Sequence, residues 1–85
     1  MITDRQFVTK LPNGGKIVTR FTARDSRGQP AVTVRLKLGK YDRAASIGIE
    51  LDESSEDAGC VCAILECVSA LLHSYFLEGY NAQGD

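Results

Sequence analysis

The feature that most limits what this chain can fold into is a change of hydrophobic period near residue 52. Before it, apolar residues recur at every second position; after it, they recur at three- and four-residue steps. The first period belongs to strands and the second to a helix. The chain therefore reads as a set of strands followed by one long helix.

Four strands are predicted, over about 5–11, 16–24, 31–38 and 44–51. In the third, Val32, Val34, Leu36 and Leu38 share one face, and Thr33, Arg35 and Lys37 the other. In the second, Ile17, Thr19, Phe21 and Ala23 oppose Val18, Arg20, Thr22 and Arg24. The fourth sets Ala45, Ile47, Ile49 and Leu51 against Ala44, Ser46, Gly48 and Glu50, and the weaker first strand turns Phe7, Thr9 and Leu11 inward. Pro12-Asn13-Gly14-Gly15, Asp25 to Pro30, and Gly39 to Arg43 supply the turns. Connections this short favour an antiparallel meander. The predicted fold class is α+β: two layers, a four-stranded sheet packed on one C-terminal helix.

The helix is predicted over 56–78, with Ser54 and Asp57 as a capping box, Gly79 as the C-terminal cap and 81–85 as a flexible tail. At 85 residues and 9.2 kDa the chain is one ββββα domain over 1–80 plus that tail. Ala58 to Leu77 is the longest apolar stretch, but Glu66 and His73 interrupt it. It reads as a buried helix of a soluble protein and not as a membrane span. Met1 to Arg5 holds no apolar run, so no signal peptide is expected.

Fifteen of the 23 residues in 56–78 are Ala, Val, Ile, Leu, Phe, Tyr or Cys. An amphipathic helix on a sheet needs about three in seven. Val61, Ile64, Leu65, Val68, Leu71, Leu72, Tyr75 and Phe76 form a wide zone, expected to face the sheet. Gly59, Ala63, Cys67, Ala70 and Ser74 form a zone of small residues, expected to be the dimer interface, where a second copy approaches across a two-fold axis. The alternative is that a curled sheet or the N-terminal segment covers that zone. Cys62, Glu66, Ser69 and His73 form a polar strip.

No catalytic or metal-binding constellation is expected, and no cofactor. Cys60 and Cys62 point about 200° apart on a helix, and metal ligands on a helix need three- or four-residue steps. Cys62 and His73 stand roughly 16 Å apart along the axis, too far for a nucleophile and its base. Ser69 and His73 lie one turn apart with nothing to supply an oxyanion hole. Asn13-Gly14-Gly15-Lys16 joins two strands, whereas a phosphate-binding loop opens a helix. Three cysteines clustered within eight residues are not a disulfide framework, which favours reduced thiols and a cytoplasmic setting.

Charge is the most informative remaining feature. The formal net charge is -1. Yet all ten basic residues lie in 1–43, against Asp4, Asp25 and Asp42, whereas 44–85 holds eight acidic residues and no Lys or Arg. Lys10, Arg20, Arg24, Arg35 and Lys37 are expected on the sheet face away from the helix, with Arg27, Lys40 and Arg43 in the turns at its ends. Like charges on neighbouring strands cost up to roughly 1 kcal/mol per close pair. A face that accepts that cost is a candidate partner-binding surface; the competing reading is a solvated face that blunts edge pairing.

Four antiparallel strands, then a helix that dimerises, resemble in element order the PC4 family of single-stranded-DNA-binding transcriptional coactivators. The resemblance covers about 16–78 and rests on topology, with no shared motif. It implies single-stranded nucleic-acid binding through the basic face. Bases normally stack on aromatic side chains, and here Phe7 and Phe21 fall on the inner face, leaving Tyr41 free in a turn. The favoured expectation is therefore a small, non-enzymatic, dimeric protein that docks on a partner protein, as a regulator or inhibitor of the phage or plasmid type. Docking uses either the cationic sheet or the acidic segment from Glu50 to Asp57. Nucleic-acid binding is the alternative.

Overall fold

The computed structural model describes residues 2–50 and 56–78. Turn chemistry sets its strands. Gly14 takes φ +92°, which lets the chain reverse while the Leu11 amide donates to the Gly15 carbonyl at 2.8 Å and Asn13 Oδ1 accepts from the Gly15 amide at 3.2 Å. This reversal joins β1 (Arg5–Lys10) to β2 (Lys16–Thr22). At the next turn the Asp25 carboxylate accepts from the amides of Arg27 and Gln29, at 2.8 and 3.1 Å, and pairs with the Arg27 guanidinium at 2.9 Å. It leads into β3 (Ala31–Leu38). Gly39 has a positive φ and Lys40 does not, the signature of a two-residue type II′ turn into β4 (Tyr41–Gly48).

The sheet is an antiparallel meander in the order β1-β2-β3-β4, and α1 (Glu56–Leu77) lies across β3 and β4. The α+β two-layer arrangement expected from the change of period is thus what the chain adopts. The core joins Val32, Val34, Leu36, Tyr41 and Ile49 to Ala63, Cys67 and Leu71 of the helix, with Ile2 added from the N-terminus. The expected capping residues Ser54 and Gly79, the end of the fourth predicted strand at Leu51, and the tail over 81–85 lie outside the described residues.

Three expectations are corrected. The fourth strand starts at Tyr41, not at 44, because the preceding turn takes only two residues. Leu38 then pairs with Tyr41 and Leu36 with Arg43, which turns both Tyr41 and Arg43 to the helix side. Tyr41 is fully buried instead of free in a turn. Arg43 pairs with Glu78 at 3.1 Å and does not join the basic face.

The second correction concerns the helix faces. Ala63 and Cys67, assigned to a dimer interface, are buried within this one chain, together with Leu71. Gly59 comes so close to the sheet side that a β-carbon on it would stand 2.5 Å from the Glu50 carbonyl oxygen. Ser74 is half-buried and donates to Glu78 at 2.8 Å; only Ala70 of the small zone is exposed. Val61, Leu65, Leu72 and Phe76, assigned to the sheet, are exposed. The physical reason is volume. Val32, Val34, Leu36 and Tyr41 already fill the inner face of β3–β4, so the helix seats by the line Ala63, Cys67 and Leu71, flanked by Ile64, Val68 and Tyr75 of the wide zone, and the rest of that zone turns outward.

The third correction follows from the second. The helix is not buried overall: of its residues, Ala63, Cys67 and Leu71 are buried. It is long and apolar enough, by length and composition, to cross a membrane, and it lies on the sheet by that one side.

Candidate functional site

Alternation places the residues of the outer sheet face in register. Lys10 stands opposite Lys16, Lys16 opposite Lys37, and Lys37 opposite Asp42, so one row across all four strands reads Lys-Lys-Lys-Asp. The next row is Val8, Val18, Arg35 and Ala44, and the third is Gln6, Arg20, Thr33 and Ser46. Adjacent strands lie about 4.8 Å apart, well inside the screening length of about 8 Å at physiological salt. The three lysines therefore repel one another.

Asp42 is the one carboxylate in these rows. Its Oδ1 accepts from Arg35 Nε at 2.6 Å and its Oδ2 from Arg35 Nη2 at 3.1 Å, with Lys37 Nζ 3.9 Å away. The Arg35 hydrogen bonds hold the Asp42 carboxyl below the usual carboxylate range, against the opposing effect of burial; the charges of Arg35, Lys37 and Lys16 add to the lowering. The same bond raises Arg35 above its ordinary value. Arg35 and Asp42 are both solvent-exposed at this ion pair, with side chains 53 % and 36 % exposed, so water is in reach of every charge in the row. Thr33 and Ser46 hydroxyls meet at 2.7 Å in the third row.

Of the predicted partner-binding residues, the sheet brings Lys10, Arg20, Arg35 and Lys37 onto the outer face. Lys40 sits in the exposed turn at the same end of the sheet as the lysine row, and Arg24 lies just past β2 at the opposite end. Arg43 belongs to the other face, where Ser74 and Arg43 together hold the Glu78 carboxyl below its ordinary value. Sequence reasoning missed Lys16. Its signal was present: Lys16, Val18 and Arg20 alternate on one side of the second strand.

No aromatic side chain stands in the outer rows. Phe7 and Phe21 meet edge-to-face on the inner side, with centroids 6.1 Å apart, and Tyr41 packs edge-to-face on Tyr75 at 5.2 Å. On the helix, burial raises the thiols of Cys60 and Cys67, and nearby carboxylates raise them further, so neither is primed as a nucleophile. Among the described residues no cluster of three His, Cys, Asp or Glu side chains is arranged to hold a metal ion. A cleft of about 430 Å³ lies between the end of β4 and the N-terminal half of the helix, with Glu50 and Glu66 among its lining residues.

No family model, no curated protein and no solved structure matches the chain.

Proposed function

We propose that this chain is a non-catalytic binding protein that docks on an acidic protein surface through the outer face of its sheet, acting as a regulator or inhibitor of that partner. The observation that carries the reading is the row Lys10–Lys16–Lys37, three cations in direct register with a single carboxylate at its end. Like charges placed opposite one another destabilise a sheet, and a complementary anionic surface relieves that repulsion. Arg20, Arg35 and Lys40 extend the positive field along the strands and into the adjoining turn. The exposed Val8 adds an apolar contact within the same face. The free thiols Cys60, Cys62 and Cys67 support a reducing, cytoplasmic setting.

Single-stranded nucleic acid is the second reading, favoured by the same open cationic sheet. The lack of an aromatic platform on that face supports the protein reading over it, because base stacking contributes about 1–3 kcal/mol per base in strand-binding proteins. Fluorescence anisotropy with a labelled oligo-glutamate peptide and a labelled oligo-thymidine, at low and physiological salt, separates them. The protein reading expects the peptide to bind and the charge-reversed pair Lys16→Glu, Lys37→Glu to abolish that binding. Oligo-thymidine binding with the steeper salt dependence moves the assignment to nucleic acid. Binding of neither probe at low salt overturns both.

A further inference from the structure

The helix docks by the line Ala63, Cys67 and Leu71, and this leaves an oily surface that the single chain does not cover. Val61, Leu65, Leu72 and Phe76 are 55 %, 62 %, 43 % and 65 % exposed, and Val68 is half-buried between them. Their spacing is four, three, four and four, which sets all five on one stripe of the helix. That stripe lies on the β2 side of the docked helix, where Val68 and Leu72 share a trough with Ile17. Every residue of β1 is exposed, and Phe7, on the inner face, is 49 % exposed. The trough is apolar, about 130 Å³, with Ile17, Leu36, Val68 and Leu72 among its walls. Stripe and trough share Val68 and Leu72 and so form one continuous surface.

We propose that a second copy of this chain covers this surface, its helix packed antiparallel against the first across a two-fold axis near Val68. Three observations select that occupant. The stripe is self-complementary: Leu65 and Leu72 lie three and four residues either side of Val68, and Val61 and Phe76 seven and eight. A two-fold axis at Val68 therefore sets Leu65 against Leu72 of the partner subunit and Val61 against Phe76 of the partner subunit. The size is right as well. The exposed parts of Val61, Leu65, Leu72 and Phe76 sum to roughly 400 Å², a size at which an apolar patch marks an interaction site; a surrounding rim supplies the rest of the roughly 800 Å² per subunit of a stable interface.

Charge decides against a lipid surface. The half of the chain that contains the helix has eight acidic residues and no Lys or Arg, whereas helices that lie on membranes flank their apolar face with cations. The interface differs from the small-residue zone that sequence alone pointed to, and it does not depend on what the outer sheet face binds.

Sedimentation velocity and light scattering on the full chain, over a wide concentration range, test this. The wild type is expected at twice the 9.2 kDa chain mass. Leu65→Glu with Leu72→Glu is expected to run as a monomer with an unchanged far-ultraviolet circular dichroism spectrum. In a second arm, the three native cysteines are replaced and Val68→Cys is introduced; oxidation is expected to link two chains much faster than it links an Ala70→Cys control. A wild type that stays monomeric at the highest concentration overturns the proposal. So does equal cross-linking at positions 68 and 70, or flotation of a monomer with anionic phospholipid vesicles in place of self-association.

Discussion

The Tyr41 hydroxyl donates to the backbone carbonyl of Leu71 across 3.1 Å, joining the first residue of β4 to the helix thirty positions later. Tyr41 is fully buried and its ring meets Tyr75 edge-to-face. The bond and the ring therefore contribute separately. Tyr41→Phe removes one buried hydrogen bond and should cost about 1 kcal/mol. Tyr41→Ala removes the ring as well and should cost about 3–5 kcal/mol, comparable to the whole stability of a domain this small. Urea unfolding followed by circular dichroism should show a modest midpoint shift for the first variant and a largely unfolded protein for the second.

Gly59 tests which side of the helix meets the sheet. In a free helix Gly→Ala gains about 1 kcal/mol. Here the added methyl would stand 2.5 Å from the Glu50 carbonyl oxygen, a backbone atom that cannot swing aside. Gly59→Ala is therefore expected to lower the melting temperature, at a net cost of about 1–3 kcal/mol. Ala63→Leu should do the same on the buried line, while Ala70→Leu, on the exposed side, should leave the melting temperature nearly unchanged. Thermal melts of the three variants side by side give the comparison.

Strand order, the first two turns and the inner face of β2–β3 were legible because each follows from local chemistry. Alternation fixes which residues share a face, and the glycines of the turns fix where the chain reverses. Which side of α1 docks was not legible. Periodicity reports how wide the apolar surface is, but both the small zone and the large zone are apolar. The choice between them rests on how much room the facing sheet leaves, a property of Val32, Val34, Leu36 and Tyr41 taken together. Arg43 was misplaced for a related reason: moving the strand start from 44 to 41 brought a turn residue into the ladder, and its partner there, Leu36, faces the helix. Within the outer sheet face, Arg20, Arg35 and Lys37 were readable from alternation alone, whereas the alignment of Lys10, Lys16 and Lys37 in one row needed the register.

The Arg35–Asp42 pair makes a prediction about pH. The folded-state pKa of Asp42 is depressed. Its contribution to stability is thus present above the unfolded value, near 3.8, and is lost as pH falls through the lower folded value. Carbon-13 titration of the Asp42 carboxyl should give a midpoint below that value. Arg35→Gln should return it toward the ordinary range, because the guanidinium hydrogen bond is the largest cause of the lowering.

Asp42 also limits the charge that the outer face presents. It neutralises part of the field of Arg35 and, at 3.9 Å, of Lys37. Asp42→Asn keeps the side-chain shape and removes the anion. Two unit charges at about 4 Å interact by about 1 kcal/mol in bulk water. The variant should therefore bind oligo-glutamate about fivefold more tightly at low salt, with a steeper loss as salt rises. Arg43→Glu serves as the contrast: it makes a larger change in charge, but on the helix side, beside Glu78. It should lower stability through that lost pair and leave peptide affinity nearly unaltered. Anisotropy titrations that rank Asp42→Asn above wild type, and Arg43→Glu level with it, would locate binding on the outer face. The reverse ranking would move the docking surface to the helix side of the sheet.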